Sequence, residues 1–281
     1  MGASAFSPTR HGTRLHRSRL PCVTLRDAVL RRMTKPDPAP SHRHTLLGPA
    51  PDADQPGRPR MSTPSIAQQV DDFNGGFESQ IGDRLASVFA EEQSDLRDAG
   101  VPAGALGVGD NAPDAELLTA EAVPTTFAAA RGGAVSVVVF YRGSWCPYCN
   151  ITLRTYQEQL LPALQDRGAQ LVAVSPQTPE GSTQSVANGS LAFTVLSDPA
   201  NALAEGFGIV TEPSTAARAA HTELGFDVAD SNADETARIP FPSVYVIDAD
   251  GTIRFADVHV DYTTRTEVGE IIAAIDRLGE D

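Results

Sequence analysis

The chain has 281 residues, of which 22 are Lys or Arg and 36 Asp or Glu, a formal net charge of −14. So acidic a chain is repelled by nucleic acid and by anionic membrane surfaces, and no apolar run approaches the roughly 18 residues that span a bilayer; both partner classes are set aside and a cytoplasmic protein is expected. Hydrophobic residues, at 41%, suffice for a packed core, and three cysteines (Cys22, Cys146, Cys149) are too few for a disulfide scaffold, which leaves catalysis or metal binding for a cysteine pair.

The charge is unevenly spread. Residues 1–60 carry 11 of the basic residues, four acidic ones and nine of the 21 prolines, without apolar periodicity. That composition reads as disorder, as a transit peptide or basic arm, or as an over-extended reading frame with Met61 the true start. The last reading is preferred, because Arg outnumbers Lys by 21 to 1 and so points to a GC-rich coding sequence. Residues 61–105 form a second unit. From Ile66 to Leu96 apolar residues recur at spacings of three and four, an amphipathic helical arm expected to break at Asn74-Gly75-Gly76 and to end in a Gly/Pro-rich linker. Such an arm either binds a partner or packs on its own domain; the second is preferred.

Residues 106–281 alternate strand and helix. Residues 134–141 (AVSVVVFY) read as a strand buried on both faces, followed by a helix with Leu153, Tyr156, Leu160 and Leu164 on one side that ends near Gly168. Residues 170–175 and 192–196 are further strands, with a short helix over 202–207. Asp250-Gly251 marks a hairpin between strands at 243–248 and 252–257, and residues 266–278 close the chain as a helix with Val268, Ile271, Ile272 and Ile275 inward. The fold class is α/β, with a central mixed β-sheet flanked by helices.

One segment carries chemistry: Arg142-Gly-Ser-Trp-Cys146-Pro-Tyr-Cys149, where the buried strand passes into the long helix. Cys146 falls at the N-cap and Pro147 at the first helical position. Free backbone amides and the helix dipole there favour the thiolate, so Cys146 is expected as an exposed nucleophile of lowered pKa, with Cys149 one turn deeper as its partner. Zinc would need four ligands, and beyond residue 60 only His221 and His259 are available, neither at metal spacing with the cysteines. C-x-x-C beside a βαβ pattern is read as redox, with no cofactor and no metal. Asn150-Ile-Thr152 and Asn188-Gly-Ser190 match the glycosylation pattern by chance, and Asp248-Ala-Asp250-Gly251 is too short for a calcium loop. Residues 212–234 lack a strand pattern and are taken as an insertion over the site, with His221 read as an aid to proton transfer or, preferred, as a surface histidine.

The context from Phe140 to Asn150 (FYRGSWCPYCN) resembles the peroxiredoxin-like branch of the thioredoxin superfamily, the alkyl hydroperoxide reductase and thiol-specific antioxidant group. Residues 106–114 (LGVGDNAPD) resemble the opening of such domains, and residues 242–251 (PSVYVIDADG) their cis-proline strand and hairpin. The resemblance implies a thioredoxin-like fold and a thiol peroxidase: Cys146 attacks the peroxide, Cys149 resolves the sulfenic acid as a disulfide, and thioredoxin or another dithiol regenerates the enzyme. It also implies a cis-Pro242 facing Cys146, with a homodimer among the expected assemblies. The chain departs from the family in holding Val139 and Gly143 where Pro and Thr are usual, and Pro242 where an Arg is usual. Arg142, Ser144 and Trp145 are the substitute substrate-binding candidates by proximity, with Arg238 more remote. Cys-Pro-Tyr-Cys also occurs in glutaredoxins, so a general thiol–disulfide oxidoreductase is the alternative, followed by a non-catalytic redox-responsive binding module.

Overall fold

A computed structural model describes residues 63–279. The basic segment, with Cys22 and Met61, lies outside the described residues.

Two helices come first, α1 (Ile66–Ile81) and α2 (Asp83–Ala99). The expected break at Asn74-Gly75-Gly76 is absent; α1 runs through it and the chain turns at Gly82 instead, where φ is +78°. A glycine inside a helix costs only about 1 kcal/mol against alanine, and here packing outweighs it. Phe73 stacks on Phe77 at 5.1 Å and meets the ring of Tyr148 edge-on at 5.5 Å. The N-terminus of α1 is closed by Ser65 and by the Glu267 carboxylate, which accepts from the Ile66 and Ala67 amides at 3.1 and 2.9 Å. An acid at that end also complements the helix dipole.

The rest is a seven-stranded sheet in the order β2-β1-β5-β4-β3-β8-β9. Its strands are β1 (Glu116–Thr119), β2 (Pro124–Thr126), β3 (Ser136–Phe140), β4 (Gln170–Ser175), β5 (Thr194–Ser197), β8 (Ser243–Ile247) and β9 (Ile253–Val258). β3, β4 and β5 are parallel; β8 joins β3 antiparallel, with Val139 opposite Val244. β6 (Val210–Thr211) and β7 (Ile239–Pro240) form a small separate ladder. Alternate residues face opposite sides, so Val137 and Val139 enter one core cluster while Val138 and Phe140 enter the other. The first cluster takes in the cysteines, Ile66 and Val70 of α1, and Ile271 and Ile275 of the closing helix α9 (Val268–Arg277).

Between the strands lie α3 (Phe127–Arg131), α4 (Pro147–Thr155), α5 (Leu161–Gln165), α6 (Pro179–Gly189), α7 (Ala202–Gly206) and α8 (Thr215–Glu223). A π turn, Tyr156–Leu160, joins α4 to α5. Pro162 has no amide to donate, which relaxes the regular ladder at that junction. The segment read as a strandless insertion contains α8, and α8 packs on α2.

Candidate active site

β3 delivers the chain to a tight loop in which Gly143 has φ +152°. A Cβ there would lie 2.4 Å from Trp145 Nε1 and 3.0 Å from the Gln177 side chain, so only glycine lets the indole close over the loop. The Ser144 amide donates to Gln177 Oε1 at 2.8 Å, Gln177 Nε2 donates to Ser144 Oγ at 3.1 Å, and Asn150 Nδ2 donates to the Ser144 carbonyl at 2.8 Å. Cys146 is then the N-cap of α4, with Pro147 at its first position and Cys149 in its first turn. Tyr148 Oη donates to Asn74 Oδ1 at 2.8 Å, tying the redox motif to the arm.

Both cysteines are free thiols and both are buried, Cys146 at 1% exposure and Cys149 at 0%. Two cations serve them. Arg265 Nη2 donates to Cys149 Sγ at 3.3 Å, and Arg265 Nη1 donates to the carbonyls of Tyr262 and Thr264 at 2.6 and 2.5 Å, which fixes the side chain. Arg142 is only 4% exposed; its guanidinium lies between the rings of Tyr262 and Trp145, 4.2 and 4.9 Å from their centroids. Among the described residues Arg142 has no carboxylate partner, so the cysteine pair is its counter-charge.

Burial disfavours any thiolate, and it pushes Cys146 well above the ordinary thiol range, helped by the proton it shares with Cys149. Cys149 suffers the same burial, yet its hydrogen bond with Cys146 and the Arg265 and Arg142 cations draw it well below that range. The two cations therefore favour the negative charge of the pair on Cys149 and the proton on Cys146. The sequence pointed to an exposed, readily ionised Cys146. Cys146 is instead buried at a cavity lined also by Trp145 and the arm, and Arg265 reaches the other sulfur.

A model of the AhpC/TSA family matches residues 108–256, more than half of the chain. The chain belongs to the AhpC/TSA family. Its mixed sheet and flanking helices are the thioredoxin-like fold of that family. Among solved structures it is similar to the peroxidoxin BcpB of Mycobacterium tuberculosis (16% identity, 62% of this chain and 98% of the other, TM-score 0.48). It is also similar to a peroxiredoxin-like protein of Aquifex aeolicus (18%, 62% and 88%, 0.49) and to Prx3 of Vibrio vulnificus (16%, 60% and 99%, 0.49). A comparison with curated proteins returns no match.

Set against the family pattern, Pro242 needs correcting: the peptide before it is trans, since no described residue has a cis bond. The Phe241 amide donates to the Ile209 carbonyl at 2.8 Å and the Pro242 carbonyl accepts from the His259 amide at 2.9 Å, so neighbouring segments hold this stretch extended. Pro242 borders a small void beside Cys149 and Arg265, not the space in front of Cys146. Arg142 and Trp145 do stand beside Cys146. The Ser144 hydroxyl is engaged with Gln177, and Arg238 pairs with Glu205. His221 is not a surface residue; it is 6% exposed, and its ring lies 4.8 Å from Phe226, 5.2 Å from Phe89 and 5.9 Å from Trp145. Burial, then Arg142, lowers its pKa to about 3, so it is neutral near pH 7. Arg265, Gln177 and Tyr262 went unnoticed in the sequence because nothing local marks them. Among the described residues no three His, Cys, Asp or Glu side chains gather as a metal site, and no helix is long and apolar enough to cross a membrane.

Proposed function

We propose that the chain is a two-cysteine thiol peroxidase that reduces hydrogen peroxide or organic hydroperoxides through Cys146 and Cys149, and that thioredoxin or another dithiol regenerates it. The observation that carries this reading, beside family membership, is access. Cys146 lines the large cavity under the arm, whereas Cys149 borders only the small void behind it. Peroxide meets Cys146 first.

The shared proton sets the order of events. Cys149, held as thiolate by Arg265, takes the proton from Cys146 as peroxide arrives. The Cys146 thiolate attacks the distal peroxide oxygen; the O–O bond breaks, and the leaving alkoxide or hydroxide takes that proton from Cys149, which restores the Cys149 thiolate. Arg142 stands beside Cys146 to stabilise the negative charge that moves onto oxygen. Cys149 then attacks the Cys146 sulfenic acid, an S–S bond forms and water leaves. One thiol, one thiolate, one hydroperoxide and one proton from solvent thus become a disulfide, an alcohol or water, and one water. An external dithiol restores the two thiols.

The test is the fate of the first oxidation. Cys146→Ser abolishes peroxide consumption, and Cys149→Ser accumulates a sulfenic acid at Cys146 that a dimedone-type probe labels. Labelling mainly at position 149 in the wild type would overturn the assignment. A thiol–disulfide oxidoreductase is the second reading, and it is favoured by the Cys-Pro-Tyr-Cys sequence alone.

A further inference from the structure

The cavity in front of Cys146 has a volume of about 290 Å³, close to the roughly 300 Å³ at which small-molecule sites begin. Hydrogen peroxide, with two heavy atoms, fills a small part of it. One wall is the arm: Phe77 of α1 and Ala86 and Phe89 of α2. Trp145 and Phe226, whose rings lie 5.4 Å apart, line the cavity too. These surfaces suit an aromatic or branched apolar body, which prefers ring faces and edges to water.

The polar end is equally specific. Arg142, without a carboxylate partner, and Cys146 both line the cavity. So does His221, which is more than nine-tenths buried and makes no side-chain hydrogen bond among the described residues; its Nδ1 is enclosed without a partner. A hydroperoxide –OOH, which both donates and accepts, suits the Arg142 guanidinium and the Cys146 thiol at this end. The arm residues of the wall precede residue 108, so they lie outside the segment that the family model matches.

We propose that the arm is a substrate-selecting element: with Trp145 and Phe226 it encloses the apolar body of a compact aryl or branched-alkyl hydroperoxide and directs its –OOH group to Cys146. This rests on the peroxidase reading above. The cavity's limited size favours a compact body over a long acyl chain.

The experiment compares cumene hydroperoxide with hydrogen peroxide on the full chain, with dithiothreitol as reductant, in the wild type and in Ala86→Phe, which fills the cavity from the arm. In the wild type kcat/KM is higher for cumene hydroperoxide by about tenfold or more. In Ala86→Phe the ratio of the cumene hydroperoxide value to the hydrogen peroxide value falls by about tenfold. A second measurement does not depend on the variant's folding. The non-reactive product alcohol, 2-phenyl-2-propanol, is titrated into reduced wild type, and Trp145 emission responds saturably. Equal or faster turnover of hydrogen peroxide by the wild type, equal losses for both peroxides in the variant, or no saturable alcohol response overturns the arm's role while leaving the peroxidase intact. Alcohol binding without consumption of either peroxide overturns the peroxidase reading and the substrate assignment with it.

Discussion

Arg265 is the residue whose removal speaks most directly to how the thiol pair is charged. Arg265→Gln keeps an amide donor for the Tyr262 and Thr264 carbonyls but removes the cation 3.3 Å from Cys149 Sγ. A hydrogen bond to a charged group contributes about 1.5–3 kcal/mol, and about 1.4 kcal/mol corresponds to one pH unit. Losing it raises the first titration midpoint of the pair by about 1 to 2 pH units. The lower end is expected, because Arg265 is only half-buried and Arg142 remains on the other side. The assay is the ultraviolet absorbance of thiolate in the reduced protein, followed through neutral pH in wild type, Arg265→Gln and Cys149→Ser. The thiolate signal appears at lower pH in wild type than in Arg265→Gln. Disulfide closure after peroxide slows in proportion, since Cys149 is the attacking sulfur in that step. An unchanged midpoint in Arg265→Gln would refute the reasoning and leave Arg265 as a loop staple only.

Two further perturbations test the surroundings of the site. His221 has its pKa lowered from 6.5 to about 3, so the unfolded chain binds the extra proton between those values and the folded chain does not. Stability therefore falls as pH drops below 6.5, by about 2 kcal/mol on reaching pH 5, and His221→Phe flattens this part of the denaturant midpoint against pH; an unchanged slope would show that His221 protonates freely. Gly143→Ala places a Cβ 2.4 Å from Trp145 Nε1 at φ +152°. It costs about 2 kcal/mol or more and shifts Trp145 emission; a neutral midpoint would mean that the loop relaxes without strain.

The central sheet was legible because its signals are local. Residues 170–175 are β4 residue for residue, and the β-branched runs at β3 and β8 and the Asp250-Gly251 hairpin lie within a residue or two of where the pattern placed them. β1 and β2 passed unseen because four and three half-polar residues carry no periodicity. α6 was missed for its Ser, Thr and Gln content, although Thr178 at its N-cap and Pro179 at its first position were visible start signals. The arm's bend was placed at Gly75-Gly76 and not at Gly82 because the contacts of Phe73 and Asn74 with Tyr148 are tertiary. In the site, the position of Cys146 before Pro147 follows from capping chemistry and needs no other segment. Which sulfur holds the charge does not follow from it. That depends on Arg265, 116 residues from Cys149 in the chain, and on the burial of Cys146.

The central claim is that peroxide oxidises Cys146 and that Cys149 then closes the disulfide, and Trp145, the only tryptophan, adjoins that event. Stopped-flow emission after stoichiometric peroxide is the direct measurement. The peroxidase reading predicts two phases, sulfenic acid formation and then disulfide closure, reversed by a dithiol, with the second phase missing in Cys149→Ser. A peroxide response no faster than that of a small free thiol of matched pKa, alongside a fast response to a disulfide substrate, would contradict it.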